Sequence, residues 1–238
     1  MWVTGHLQQN TGFFTQGLRK LANHYVFLVE TAKRNELLEK EIDEAKQKLI
    51  QLQEVESTNR RWASLLEFKN SLSVKTVPGQ VIAHDISSDF IGIRIDRGRK
   101  DGVAVGMGVV HPAGVVGTVY RVTDEFADVL TLADPASNID AVIQRSRARG
   151  IISGESKSLH CKLKYMDRLE DVSQDDAVVS TSFGGVFPSG LLIGYVSEIS
   201  STSNGILQNI SVKTAVDIYR IEEVLVVISS NQPSKNNT

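Results

Sequence analysis

Between Gly17 and Asn70 apolar side chains return every three or four residues: Leu18, Leu21, Tyr25, Leu28 and Ala32, then Leu38, Ile42, Ala45, Leu49 and Leu52. That alternation lines them along one stripe of an α-helix, the seam of a coiled coil. The stretch holds no proline and no glycine after its first residue. Glu36–Lys40 and Glu44–Lys48 set Glu four residues ahead of Lys on the polar faces. At about 1.5 Å per residue such a helix runs roughly 80 Å, too long for one small domain to cover. The pattern predicts a helix over 17–70 that pairs with a second copy through Leu38, Ile42, Ala45, Leu49 and Leu52. Ala32 and Asn35 compete for one core layer, a three-residue slip that overwinds or interrupts a coil. The homodimer interface is therefore placed on the second run.

Beyond Ser71-Leu72-Ser73 and Val77-Pro78-Gly79 the helical period stops. Short β-rich runs broken by turn residues replace it. Strands are predicted at 81–84, 91–95, 108–111, 115–122, 128–132, 139–144, 150–153, 159–163, 177–181, 191–199, 210–212 and 224–228. Turn signals between them include Lys100-Asp101-Gly102, Pro112-Ala113-Gly114 and Pro188-Ser189-Gly190. So many strands at intervals of roughly ten residues overfill one small barrel. The expected fold is mainly β with one long N-terminal helix: a coiled coil, then two small β-barrels over 77–150 and 151–228. Residues 1–16, with Trp2, Phe13 and Phe14, read as a juxtamembrane segment or a frayed terminus, and the polar tail 229–238 as disordered.

A chain of 238 residues has room for this arrangement, since about 165 residues follow the helix. Its net charge of −2 gives no pull toward nucleic acid or an anionic bilayer. One cysteine, Cys161, excludes an internal disulfide and a multi-cysteine zinc site. The longest apolar runs, Tyr25–Val29 and Val224–Ile228, are five residues, far short of a membrane span.

A double β-barrel could host a hydrolase. Ser182 precedes Phe183-Gly184-Gly185, and His84-Asp85 lies upstream, so a serine triad is conceivable. No G-x-S-x-G surrounds Ser182, and ordinary polar residues far outnumber triad members. No metal-ligand spacing or phosphate loop occurs, so no metal or cofactor is expected. Arg145, Arg147 and Arg149 alternate and would share one face of an extended strand. Such a face is an anion or nucleic-acid contact or, more commonly, a solvated edge strand. The densest stretch is 180–194, where Phe183, Val186 and Phe187 crowd a glycine-rich turn. They either plug a barrel end or form a partner-binding patch.

Five segments carry a family resemblance. They are Thr58–Leu66 (TNRRWASLL), Ile95–Val103 with Gly106–Val110, Gly114–Val119 (GVVGTV), Val129–Asp134 (VLTLAD) and Thr181–Gly194 (TSFGGVFPSGLLIG). In this order they resemble motifs of MreC, the family of bacterial rod-shape-determining proteins. The helix end has Thr for the family's Glu and Trp for its Leu, and the last block is one residue shorter and lacks its first glycine. The resemblance implies a single-pass inner-membrane protein with its bulk on the periplasmic side and its span upstream of Met1. It implies a dimerising helix, two β-barrels and no catalysis. The implied role is a scaffold of cell-wall elongation. It would link MreB, through MreD and RodZ, to peptidoglycan synthases, including a class-B penicillin-binding transpeptidase. The alternatives are a chymotrypsin-like serine hydrolase and a periplasmic adaptor of an export machine; an adaptor needs a helical hairpin, and only one arm is present.

Overall fold

A computed structural model describes residues 11–86, 91–155, 160–201 and 207–228. Helix α1 spans Thr11–Ser71, six residues ahead of the expected start at Gly17. The termini read as a juxtamembrane segment and a disordered tail lie outside the described residues, apart from 11–16, which are helical. The chain divides into two units after Asn59. In the first, α1 leaves its seam open: Leu38 is 47% exposed, Ile42 51%, Leu49 56% and Leu52 66%. Ala45 is exposed as well.

The second unit begins at Arg60 and holds the last turns of α1 with all the strands. In chain order these are β1 (Thr76–Ile86), β2 (Ile91–Ile95), β3 (Gly108–His111), β4 (Gly114–Val122), β5 (Ala127–Thr131) and β6 (Ile139–Ile143). Then come β7 (Arg149–Gly154), β8 (His160–Asp167), β9 (Ala177–Ser180), β10 (Leu192–Ser201), β11 (Leu207–Thr214) and β12 (Glu223–Val227). They close into two antiparallel barrels, β1-β12-β3-β4-β5-β2 and β10-β11-β8-β7-β6-β9.

The expected division at residue 150 is corrected by this pairing. Strand β6 belongs to the second barrel, and β12 returns from the far end of the sequence to complete the first. The reason lies in β1, whose Thr76–Gln80 half pairs with β12 while Val81–Ile86 pairs with β2. Without β12 that first half would present an open row of backbone donors and acceptors. Pro78 also sits inside β1, past the point where it was expected to end the helix. A proline is tolerated where only one flank of the strand is laddered, and Arg97 Nε donates to the Pro78 carbonyl at 2.9 Å.

The barrels share one core. Val110, Val115, Leu132 and Leu225 of the first pack in the same apolar cluster as Ile143, Leu163, Phe187 and Ile193 of the second. Leu65, from the end of α1, is 1% exposed in that cluster, with Trp62 and Phe68 beside it. Arg61 ties the same turn to the approach of β12. Its Nη2 donates to Glu222 at 2.6 Å and its Nε to the buried Glu223 carboxylate at 3.1 Å.

Candidate functional site

The loop between β9 and β10 is held from below by one hydroxyl. Ser180 Oγ donates to the Pro188 carbonyl at 2.6 Å and accepts from Leu191 N–H at 3.0 Å. Backbone bonds from Ser180 N to Leu191 O and from Gly190 N to Ser180 O, 2.8 and 2.9 Å, finish the clamp. Gly184 and Gly185 take positive φ of 83° and 69°, which turns the loop tip outward.

This geometry divides the three apolar residues expected to meet a partner. Phe187 is 6% exposed and lies within the shared core, against Gly108 of β3. Val186 is half-buried and packs on the same cluster. Phe183 alone stands out, at 72% exposed. The partner-patch reading of Phe187 is thereby corrected: its ring plugs the space between barrels, because an apolar ring gains more from that dry contact than from the loop surface.

Phe183 borders a pocket of about 430 Å³ on the second barrel, lined also by Asp140, Arg147, Arg149, Tyr165 and Ser182. The Arg149 guanidinium lies 5.7 Å from the Phe183 ring centre. The three alternating arginines do not share an extended strand as expected. Arg145 and Arg147 fall in the turn between β6 and β7, and Arg149 opens β7. Arg145 is consumed by ion pairs with Asp171 and Asp176, whereas Arg147 and Arg149 face the pocket.

Ser182 and His84 are not brought together. Ser182 lines the second-barrel pocket, and His84 lines a cleft on the first barrel with Arg94, Tyr120 and Asp128. There Arg94 Nε and Arg121 Nε donate to Asp128 at 2.7 and 2.6 Å. Burial pushes the Asp128 carboxyl up, but the two guanidinium groups outweigh it and hold it below the usual carboxylate range. That carboxylate is committed to two arginines and is no partner for an imidazole. Among the described residues no group of His, Cys, Asp and Glu is arranged to hold a metal.

Tyr165 lies beyond the end of the predicted strand 159–163, and no sequence motif marks it. In the sequence the alternation Cys161, Leu163, Tyr165 runs unbroken and would bury the ring, yet in the structure the next buried apolar residue is Met166. A break of phase inside a strand marks a bulge.

Comparison with known proteins follows the barrels closely. Residues 81–228, nearly all of the two barrels, match the family described as rod shape-determining protein MreC, barrel core. The chain belongs to the MreC family. The cell shape-determining protein MreC of Caulobacter vibrioides is 32% identical over 165 residues, 69% of this chain and 47% of its own length. This chain thus spans about half of that relative. A solved MreC structure superposes with a TM-score of 0.68 at 28% identity, covering 73% of this chain and 98% of that one. The MreC of Helicobacter pylori, solved in complex with the penicillin-binding protein PBP2, shares the fold at 14% identity. Its TM-score is 0.55, over 67% of this chain and all of that one.

Proposed function

We propose that this chain is a non-enzymatic scaffold of the bacterial cell-wall elongation complex, acting on the periplasmic side of the inner membrane to maintain rod shape. It dimerises through the α1 seam and presents its second barrel to a penicillin-binding transpeptidase of class B. In keeping with the family resemblance, it is membrane-anchored in the full-length protein and is coupled to MreB through MreD and RodZ. The observation that carries this reading is the placement of exposed apolar side chains. They form a helix seam at Leu38, Ile42, Ala45, Leu49 and Leu52, and an aromatic tip at Phe183. Apolar seams with this spacing pair with another helix, and aromatic tips anchor protein interfaces. The complex of the Helicobacter pylori relative supports the choice of partner.

A hydrolase reading has less support, because Ser182 and His84 line separate clefts on separate barrels. The scaffold reading is tested by retention of a class-B penicillin-binding ectodomain on the immobilised protein. Parent protein retains it, and Phe183→Ala loses it while melting at the parent temperature. Retention by well-folded Phe183→Ala equal to that of the parent overturns the assigned surface.

A further inference from the structure

Tyr165 adopts a backbone conformation that bulky residues avoid, with φ at 63°. It sits at a bulge: Leu163 pairs with Ile210 and Met166 with Gln208, which leaves Lys164 and Tyr165 opposite Asn209 alone. The flanking Leu163 and Met166 are buried, but the tyrosine is 67% exposed. Glycine would occupy this position without strain, and core packing does not explain a ring that is mostly in water. Among the described residues, non-glycine positive φ occurs at Arg147, Tyr165 and Asp175, and the first two line the pocket beside Phe183. Strained residues concentrate where function holds them, and bulges re-aim side chains toward such places.

The pocket's chemistry is mixed. Tyr165 and Phe183 supply exposed rings, and Arg147 and Arg149 supply cations against the single carboxylate of Asp140. Among the described residues neither arginine has a carboxylate at ion-pair distance, unlike Arg145 two positions earlier. Of the nearby lysines, Lys162 pairs with Glu155 at 2.6 Å, and Lys164 donates to Ser153 Oγ at 2.9 Å. Arg147 and Arg149 thus converge on one compact pocket, a geometry that suits a small anion better than the extended backbone of a polyanion. Guanidinium groups match a carboxylate in paired, planar hydrogen bonds, and the rings match an apolar neighbour of that carboxylate.

We propose that this pocket binds a short acidic segment of a partner protein, its carboxylate held by Arg147 and Arg149 and its adjacent apolar side chain lodged between Tyr165 and Phe183. A volume near 430 Å³ suits two or three side chains. The proposal deepens the partner-surface reading and rests on it for the occupant being a protein.

The test is an array of end-blocked pentapeptides of systematically varied composition, probed with the whole chain and followed by fluorescence anisotropy on the peptides selected. Selected peptides carry Asp or Glu beside a large apolar residue. Exchange of the acid for its amide weakens binding about tenfold or more, and Arg147→Gln and Arg149→Gln each do the same. Tyr165→Gly loses the peptide yet melts above the parent, because the strained backbone is relieved. Selection of no peptide, selection of acid-free peptides, or parent-like affinity in either arginine variant overturns the proposal. So does a lower melting temperature for Tyr165→Gly, which would give the ring a role in the fold. A penicillin-binding ectodomain that fails to displace a peptide showing the full pattern removes that partner and leaves the pocket standing.

Discussion

The ring of Phe187 fills the space that a side chain on Gly108 would take: a Cβ there would stand 2.6 Å from the ring's Cε1. Gly108 opens β3 of the first barrel, and Phe187 comes from the loop between β9 and β10 of the second. The pair therefore joins the barrels. Phe187→Ala empties a buried ring site and should cost about 3–5 kcal/mol. Gly108→Ala should destabilise through the clash, with Val186 O also only 2.7 Å from the added carbon. The two changes share one space, so the double variant should fall short of the sum by about 0.5–3 kcal/mol. Guanidinium unfolding of the four proteins measures this, and strict additivity would show that the two residues do not interact.

Arg61 anchors the end of α1 to a carboxylate that is nearly out of water. The Glu223 side chain is 5% exposed, while that of Arg61 is 31% exposed. Arg61→Ala strands the buried acid and should lower stability by about 1–3 kcal/mol. Adding Glu223→Gln should restore part of the loss, since a neutral amide tolerates burial better. Thermal melts of the single and double variants decide it; a parent-like melt for Arg61→Ala removes the anchor.

The helix seam gives a third expectation. Ile42→Asp with Leu49→Asp places charge in the layers that a partner helix would desolvate, and the dimer should dissociate. Sedimentation equilibrium of parent and double variant reads the mass directly. Equal association by both would move the dimer contact elsewhere.

Cys161 supplies a pH-dependent expectation. Its thiol is fully buried and donates to the Leu132 carbonyl across the barrel junction at 3.1 Å. Burial pushes the thiol up from 9.0 to about 12, with the Glu155 charge adding to the shift. The folded form thus holds its proton more tightly than the unfolded chain. Its contribution is fully present below pH 9.0 and is lost as pH rises toward about 12. The native protein should resist a disulfide-exchange reagent at pH 8 and react only on unfolding. Against Cys161→Ala, the parent should lose stability more steeply above pH 9. Prompt labelling of the folded protein would contradict the buried, protonated thiol.

The sequence by itself determined the elements. Three- and four-residue spacing defined a helix within 17–70, and β-rich runs between turn residues marked each of the twelve strands, although β1 begins five residues ahead of its predicted start and β8 ends four past its predicted end. These are local properties, set by which side chains share a face within one turn or one pleat. It also carried the family, because the motifs at 58–66, 95–110, 114–119, 129–134 and 181–194 are contiguous stretches. Pairing is different. Val224–Ile228 reads as a buried strand whichever barrel receives it, and only the unpaired half of β1 draws β12 back across the sequence. Side-chain fate is equally non-local. Phe183 and Phe187 lie four residues apart in one loop, yet one is exposed and the other buried because Gly108, far upstream, leaves room for a single ring. The same holds for Arg145, Arg147 and Arg149, which periodicity put on one face. The turn after β6 sends the first to Asp171 and Asp176 and the others to a pocket with Tyr165, whose outward aim comes from a bulge opposite β11.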